Sequence, residues 1–247
     1  MCKSILGQDK LPKKLLVIGG GPIGIEIAQA LNRLGSKVTI LHNNDIILPH
    51  YDVAVTEILL AQLRKEGIEF HFNAKSDHFI AANEACIKLK DGSSINISFD
   101  AVFVGIGRIL HVAALQPQQA GIEVKEGKIV IDRYLRTTNK NIFVCGDLAG
   151  DLQFSHTAES NARLLLNNFF SPLKKKLNND HISWVIFTDP EVATFGLSEK
   201  KLKERNIPYE KMVQDFKDDD RTVTDNYQYA KSVLFISKKG LLKSKKY

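Results

Sequence analysis

A glycine-rich turn, set between an apolar run and a helix-like segment, constrains this chain more than any other feature. Three glycines stand at the spacing G-x-G-x-x-G: Gly19, Gly21 and Gly24. The apolar run from Leu15 to Ile18 precedes them and has the length of a short strand that is covered on both faces. Pro22 fits the first position of a helix, where its missing N–H leaves nothing unpaired. The segment therefore predicts a strand that passes through a tight turn into a helix.

The helix after the turn is predicted from apolar residues that recur every three or four positions. They are Ile23, Ile27, Leu31 and Leu34, and we expect them to form its buried face. Gly35 fits the residue just past the helix end, where a left-handed conformation is common. A second strand is predicted from Lys37 to Leu41, which completes one βαβ unit.

A glycine-rich loop in this position is typical of proteins that bind dinucleotides. The first glycine allows the tight turn, the second lets the backbone approach a pyrophosphate, and the third lets helix and strand pack closely. The helix N-terminus adds unpaired N–H groups and a partial positive charge. The predicted contact residues of the loop are Gly19, Gly20, Gly21, Pro22, Ile23 and Gly24. The alternative interpretation is a merely structural turn.

The end of the second strand is where such folds distinguish NAD from NADP. An NAD site usually has an acidic residue there for the ribose hydroxyls, and an NADP site usually has an arginine for the 2′-phosphate. This chain has His42, Asn43 and Asn44 instead. Without a carboxylate nothing repels the 2′-phosphate, so the pattern favours NADPH, with His42 and Asn43 as contacts. Alternatively, His42 is an exposed loop histidine.

The rest of the chain reads as further α/β structure. Helices are predicted at 53–66, 156–169 and 199–205, the last capped by Ser198. Strands are predicted at 68–72, 101–104, 142–144, 184–187 and 230–236. Hairpins are predicted from 86–89 to 95–99 and around Glu126-Gly127. The segment 171–180, rich in Lys and Asn, resembles a linker.

Composition sets broad limits on what the chain does. Its 247 residues, 44% hydrophobic and 25% charged, suit a globular chain of about two domains. No apolar run approaches the ~18 residues of a membrane span, so we expect a cytoplasmic protein that binds no membrane. The three cysteines form no Cys-x-x-Cys pair, and local spacing predicts no metal site. The net charge of +6 arises partly from runs at 174–176 and 238–246, which predict a solvated face rather than nucleic-acid binding.

Four stretches carry a family resemblance. They are residues 11–29 (LPKKLLVIGGGPIGIEIAQ), 105–108 (GIGR), 137–147 (TTNKNIFVCGD) and 184–199 (WVIFTDPEVATFGLSE). In this order they resemble segments of the pyridine nucleotide–disulfide oxidoreductases, the family of dihydrolipoamide dehydrogenase, mercuric reductase and glutathione reductase. The resemblance extends from about Leu11 to about Gly240. The stretch Phe154-Ser155-His156-Thr157-Ala158 is most similar to mercuric-reductase-type members.

The resemblance implies roles for particular residues. Asp147 matches the aspartate that hydrogen-bonds the ribityl chain of FAD, although a strand-ending turn is the alternative. His156 matches a helix start beside the flavin, and otherwise is a packed histidine. Glu26 matches a glutamate near the nicotinamide, and otherwise is an exposed helix residue. Gly107 and Arg108 match the segment that closes the NAD(P)-binding domain.

The chain also departs from the family pattern. The family carries an FAD-binding domain with a Cys-x-x-x-x-Cys redox pair, and this sequence contains no such pair. None of its seven histidines has a glutamate five residues later, as the family's acid/base pair requires. We therefore expect a fragment that contains no catalytic residue and is inactive alone.

Together these features predict an α/β fold in three parts. A Rossmann-like NAD(P)-binding domain with a β-meander spans 11–108, part of an FAD-binding domain spans 109–178, and a truncated α+β dimerisation domain spans 181–247. The implied activity is hydride transfer from NAD(P)H through FAD to a disulfide-type or metal-ion acceptor, in a homodimer. The alternative is a non-catalytic nucleotide-binding or dimerisation module. Tyr227 and Lys231 have the Tyr-x-x-x-Lys spacing of single-Rossmann dehydrogenases, which we interpret as chance.

Overall fold

A computed structural model describes residues 10–150, 152–225, 227 and 230–237. The chain forms two compact units. Of the residues described, one unit comprises those up to Ile106 together with those from Trp184 onward, and the other comprises those from Gly107 to Ser183. Cys2 and the basic tail at 238–246 lie outside the described residues. The division into three domains stays a prediction.

The first unit is built on a four-stranded parallel sheet. Its first elements are β1 (Lys14–Ile18), α1 (Pro22–Arg33), β2 (Lys37–Leu41), α2 (Val53–Lys65), β3 (Glu69–His71), β4 (Lys75–Ala81), β5 (Glu84–Lys88), β6 (Ser94–Ser98) and β7 (Ala101–Val104). The parallel sheet has the order β3-β2-β1-β7. Its core includes Leu15, Val17, Ile25, Val38, Ile40, Leu59, Leu63 and Phe103. The predicted βαβ unit is therefore confirmed.

The buried face of α1 differs from the predicted one. Gly24, Ile25 and Ala28 are buried, whereas Ile23 is 44% and Leu34 is 69% exposed. The buried face is instead the one that carries Gly24 and Ile25, because Gly24 lies against the backbone of Gly19 and fixes which side of the helix contacts the sheet. Ile27 and Leu31 pack only partly against this core.

A separate antiparallel sheet follows β3 and has the order β4-β5-β6. The hairpin of β5 and β6 confirms the prediction, whereas β4 was missed. Ala85 and Ile87 of β5 pack in a second core with Leu16 of β1 and Leu41 of β2. Ala74 and Phe99, which lie next to the ends of β4 and β6, complete this core.

The second unit contains the short hairpin β8 (Val124–Lys125) and β9 (Lys128–Ile129) and the long helix α3 (Ser155–Phe170). Both agree with the prediction. The predicted strand at 142–144 is wrong, since Phe143 makes only an isolated bridge with Arg136. The facing segment turns at Leu135, which has a left-handed φ of 63°, so pairing cannot continue into a ladder. Val144 is nevertheless buried in a small local core.

The described residues from Ser183 onward form four strands and two short helices. They are β10 (Ser183–Ile186), β11 (Val192–Phe195), α4 (Glu199–Glu204), β12 (Tyr209–Asp215), α5 (Asp220–Thr224) and β13 (Lys231–Ser237). The strands pair as β10-β11 and as the antiparallel β12-β13. Ser198 caps α4 as predicted, because its Oγ accepts from the Lys201 N–H. β11, β12 and α5 were missed.

Among the residues described, no helix has both the length and the apolar character that crossing a membrane requires.

Candidate functional site

The glycine loop joins β1 to α1 with almost no space for side chains. Gly19 has a φ of +117°, and a Cβ added to it would stand 2.4 Å from the Gly105 carbonyl oxygen. A Cβ on Gly24 would stand 2.0 Å from the Gly19 carbonyl oxygen. These two positions therefore require glycine, because one has a left-handed backbone and the other lies against the backbone of the loop.

The open side of the loop is at Gly21. This residue is the N-cap of α1, and a Cβ added to it would meet nothing within 4 Å. No side chain caps the helix, and its first turn contains no acidic residue. The orphan N–H groups of the first turn and the positive end of the helix dipole thus face an open approach, which suits a phosphate group.

His42 holds the loop from the side. Its ring is buried, and its Nδ1 accepts a hydrogen bond from the Gly20 N–H at 3.1 Å. The Gly20 carbonyl accepts from the Leu48 N–H at 3.2 Å. The alternative of an exposed loop histidine is therefore wrong. Neither the bond from Gly20 nor the role of Leu48 was expected, because both join residues far apart in the sequence.

The tautomer of His42 follows from this bond. Because Nδ1 accepts, the proton of the neutral ring lies on Nε2, which is buried and lacks a hydrogen-bond partner among the residues described. Burial lowers the pKa of His42, and a contact with the backbone of Ile46, too loose to count as a hydrogen bond by geometry, opposes this shift only in part. Burial and the hydrogen bond from the Gly20 N–H therefore both favour the neutral ring, whose single N–H is buried rather than presented to solvent.

The residues after His42 are exposed. Asn43 and Asn44 lie in an irregular loop, which the bond from the Asn73 N–H to the Asn44 carbonyl oxygen ties back at 3.0 Å. Asp45 follows in the same loop and is also exposed. The end of β2 thus presents two amides and a carboxylate to solvent, and the sequence interpretation had left this carboxylate out.

Glu26 lies on α1 and is half-buried. Its Oε1 accepts a hydrogen bond from the Phe187 N–H at 2.8 Å. One turn further along, Gln29 is buried and bonds both the N–H and the carbonyl of Asp189, each at 2.8 Å. The alternative of an exposed Glu26 is wrong, because this face of α1 is hydrogen-bonded to the segment that follows β10, at Phe187 and Asp189.

An ion-pair network extends the same face of α1. Arg33 contacts Glu66 and, at 2.8 Å, Asp189. Hydrogen bonds from Arg33 and Gln62 outweigh the effect of burial and lower the pKa of Glu66. The network was missed because Arg33, Glu66 and Asp189 are far apart in the sequence.

The second unit contains the remaining predicted residues. The Arg108 guanidinium lies 3.6 Å from the Asp147 carboxylate and donates to the Gln153 carbonyl oxygen at 2.9 Å. Asp147 lies in a short 3-10 turn at 146–149, and Gly146 has a φ of +73°. His156 is exposed in the first turn of α3, where its ring stacks on Phe154 with centroids 5.3 Å apart.

These residues are chemically suited to a flavin nucleotide. Asp147 is 52% exposed and offers carboxylate oxygens to sugar hydroxyls. α3 has no side-chain cap and no acidic residue in its first turn, so its N-terminus favours negative charge. Gly107 is exposed next to Arg108, and it has a φ of +127°. Arg108, Asp147 and the start of α3 are thus brought together within the second unit.

The predicted residues fall into two groups. Those of the glycine loop (Gly19, Gly20, Gly21, Pro22, Ile23 and Gly24) belong to the first unit with Glu26, His42 and Asn43. Gly107, Arg108, Asp147 and His156 belong to the second.

Comparison with known proteins gives a consistent result. Residues 3–162 match the pyridine nucleotide-disulphide oxidoreductases, and residues 182–239 match the dimerisation domain of that family. The chain is 33% identical over 207 residues to a mercuric reductase of Bacillus cereus, covering 82% of this chain and 32% of that enzyme. It is 29% identical to a dihydrolipoyl dehydrogenase of Bacillus subtilis, covering 81% and 44%.

Solved structures agree. The flavoprotein disulfide reductase RclA of Escherichia coli has a TM-score of 0.83 and 26% identity, covering 95% of this chain and 54% of that one. The chain spans about a third to a half of the length of the curated relatives it matches. Members of the matched family are FAD-containing, NAD(P)H-dependent oxidoreductases. From the family match, which extends over more than half of its length, the chain belongs to the pyridine nucleotide-disulphide oxidoreductase family.

Proposed function

We propose that the chain supplies the nicotinamide dinucleotide site and part of the flavin site of an FAD- and NAD(P)H-dependent oxidoreductase. The observation that carries the proposal is the uncapped N-terminus of α1, which is open at Gly21 and closed to side chains at Gly19 and Gly24. The two cofactors supply the hydride chemistry, and the acceptor is a disulfide-type group or a metal ion. A cytoplasmic location is part of the proposal.

In this proposal the first unit binds the nicotinamide nucleotide. The N–H groups at the start of α1 hold its pyrophosphate, with Pro22 and Ile23 alongside. His42 fixes Gly20 from a buried position and, with the exposed Asn43, lies beside the adenosine ribose; we infer a preference for NADPH over NADH because no carboxylate directly follows β2, the first in this loop being Asp45. Glu26, oriented by the Phe187 N–H, lies near the nicotinamide.

The second unit contributes to the flavin site. Asp147 accepts hydrogen bonds from the sugar hydroxyls of FAD, and Arg108 holds the carboxylate in place with Gly107 beside it. His156 lies beside the flavin, and the N-terminus of α3 stabilises negative charge on it. The chain contains no Cys-x-x-x-x-Cys pair, so we propose that it has little disulfide reductase activity alone.

A parallel fluorescence titration of the purified chain with NADPH and NADH tests the dinucleotide site. We expect micromolar binding with NADPH preferred. A folded chain that binds neither nucleotide would overturn the proposal. A preference for NADH would overturn only the roles given to His42 and Asn43.

Flavin content tests the second unit separately. We expect that the purified chain does not retain stoichiometric FAD, since the proposed site is only part of the whole. A stable yellow protein with one FAD per chain would refute this part of the proposal.

The second candidate function is a non-catalytic nucleotide-binding or dimerisation module. The match of residues 182–239 to the dimerisation domain favours it, as does the exposure of Phe187 and Phe195 in that region, at 75% and 69%. Sedimentation velocity and pull-down from native extract distinguish the two functions. A module captures a specific full-length partner, whereas the oxidoreductase function predicts a homodimer whose assembly is independent of such a partner.

A further inference from the structure

Three side chains on the outer face of the β4-β5-β6 sheet have the chemistry of a metal site. They are Asp77, His78 and Cys86, and their ligand atoms all lie within 4.8 Å of one another. These are a carboxylate oxygen, an imidazole nitrogen and a thiol sulfur. None of them belongs to the dinucleotide or flavin residues described above.

The pairing of β4 with β5 places His78 and Cys86 side by side. His78 is directly opposite Cys86 in the antiparallel register. Ala85 and Ile87 are buried in the core beneath the sheet, so Cys86 points to the opposite, outer face together with His78. Residues directly opposite in such a pair have Cβ atoms about 4.5–5.5 Å apart, which suits two ligands of one ion.

An irregularity in the backbone of β4 places the Asp77 carboxylate beside His78. Consecutive residues of a regular strand point to opposite faces, and Asp77 would then be directed away from His78. The register shifts between Ser76 and His78, and the Asp77 Oδ2 lies 3.0 Å from the His78 Nδ1. Bulges of this kind re-aim side chains and recur next to functional sites.

The site is accessible from solvent. The side chains of Asp77 and His78 are 55% and 61% exposed, and Cys86 is partly buried. An ion could therefore enter from outside and contact the thiol at the base of the group. Ligands of a tetrahedral zinc ion, at bond lengths near 2.0–2.3 Å, stand roughly 3.3–3.6 Å apart, so only a small closing movement is needed.

We propose that Asp77, His78 and Cys86 form a binding site for a divalent transition-metal ion, with zinc the best match to the mixed sulfur, nitrogen and oxygen set. Three protein ligands leave a fourth position for water. On binding, a bond forms between the ion and the Cys86 sulfur, and the thiol proton is released to solvent. Affinity should therefore rise as the pH is raised.

Cobalt substitution gives a direct test, because a thiolate bound to Co²⁺ produces a charge-transfer band and four-coordination produces strong visible bands. The probe is Co²⁺ added to the tag-free chain, followed by competition with Zn²⁺. A Cys2→Ser/Cys145→Ser background leaves Cys86 as the only thiol. We expect one Co²⁺ per chain with a thiolate band in this background, displaced by one equivalent of Zn²⁺.

Single variants then assign the ligands. Cys86→Ser should abolish the thiolate band, and His78→Ala and Asp77→Asn should each weaken binding at least about tenfold. Asp91→Asn, on the β5-β6 turn, is the matched control and should bind as the parent does. Far-UV circular dichroism checks that each variant is folded.

Three outcomes would overturn the site. They are no thiolate band in the folded Cys2→Ser/Cys145→Ser chain, an unchanged band in Cys86→Ser, or equal weakening by Asp77→Asn and Asp91→Asn.

Discussion

Alanine at two positions of the glycine loop should separate its packing role from its binding role. In Gly24→Ala the new methyl carbon would stand 2.0 Å from the Gly19 carbonyl oxygen, where real contacts are essentially never below 3.0 Å. α1 must therefore move away from β1 by about 1 Å. In Gly21→Ala the methyl group meets nothing within 4 Å, and the extended backbone (φ −84°, ψ 178°) accepts alanine.

The magnitudes follow from these contacts. Overpacking costs about 1–3 kcal/mol, and the upper end applies to Gly24 because the clashing atom is backbone. Alanine in a helix is more stable than glycine by about 0.5–1 kcal/mol, so the net decrease in the free energy of unfolding is about 2 kcal/mol. At roughly 2–4 °C per kcal/mol, Tm should fall by about 4–8 °C. Gly21→Ala should lose only ~0.5 kcal/mol, because alanine is a poorer N-cap than glycine.

Thermal unfolding followed by circular dichroism measures both variants, and an NADPH titration at a temperature where both are folded measures binding. We expect Gly24→Ala to be the less stable and Gly21→Ala to be the one that stays stable yet loses NADPH affinity, since its methyl group occupies the open approach. A Gly24→Ala chain as stable as the parent would refute the close-packing argument. Unchanged NADPH affinity in Gly21→Ala would refute the open approach.

Three further predictions concern other contacts. His42→Glu should shift the nucleotide preference towards NADH, because the carboxylate can still accept from the Gly20 N–H while repelling a 2′-phosphate. The ratio of the NADH and NADPH Kd values measures this shift, and an unchanged ratio would contradict it. Gln29→Leu should destabilise the chain by about 1–3 kcal/mol in denaturant unfolding, because it leaves the backbone groups of Asp189 without their side-chain partners; a neutral effect would argue against this docking. Hydrogen bonds from Tyr209 and Lys203 lower the pKa of Glu199 to about 2. Since the folded pKa lies below the ordinary value of 4.5, the stabilisation is full above about pH 4.5 and is lost as the pH falls towards 2. Glu199→Gln should therefore lower the free energy of unfolding at neutral pH by about 1 kcal/mol after allowance for solvent screening, but not at about pH 2; an equal effect at both values would contradict it.

The elements that were predicted correctly are those that depend on the conformations and spacing of residues close together in the sequence. The turn at Gly19, the start of α1 at Pro22 and its end before Gly35 follow from backbone conformation, and all agree with the structure. The hairpin of β5 and β6 was also predicted, because its apolar alternation continues on both sides of a turn. The strands β4 and β12 were missed because their residues are almost all exposed and show no apolar alternation.

The errors at the candidate site have a different origin. The buried face of α1 was assigned to the residues with the clearest apolar spacing, although the close approach of Gly24 to the Gly19 carbonyl oxygen places Gly24, Ile25 and Ala28 against the sheet. The bond from Gly20 to His42 spans 22 residues, and the bond from Trp184 to the Tyr51 hydroxyl spans 133. Such contacts depend on how elements come together, and no window of neighbouring residues contains them.

The N-terminus of α1 is the proposed site of the nicotinamide dinucleotide. Backbone amide chemical shifts of the 15N-labelled, deuterated chain, recorded during NADPH addition, test it at individual residues. We predict that the largest shifts fall on Gly19–Gly24 and on His42 and Asn43. Saturable binding whose largest shifts lie elsewhere, with the glycine loop unaffected, would contradict the claim.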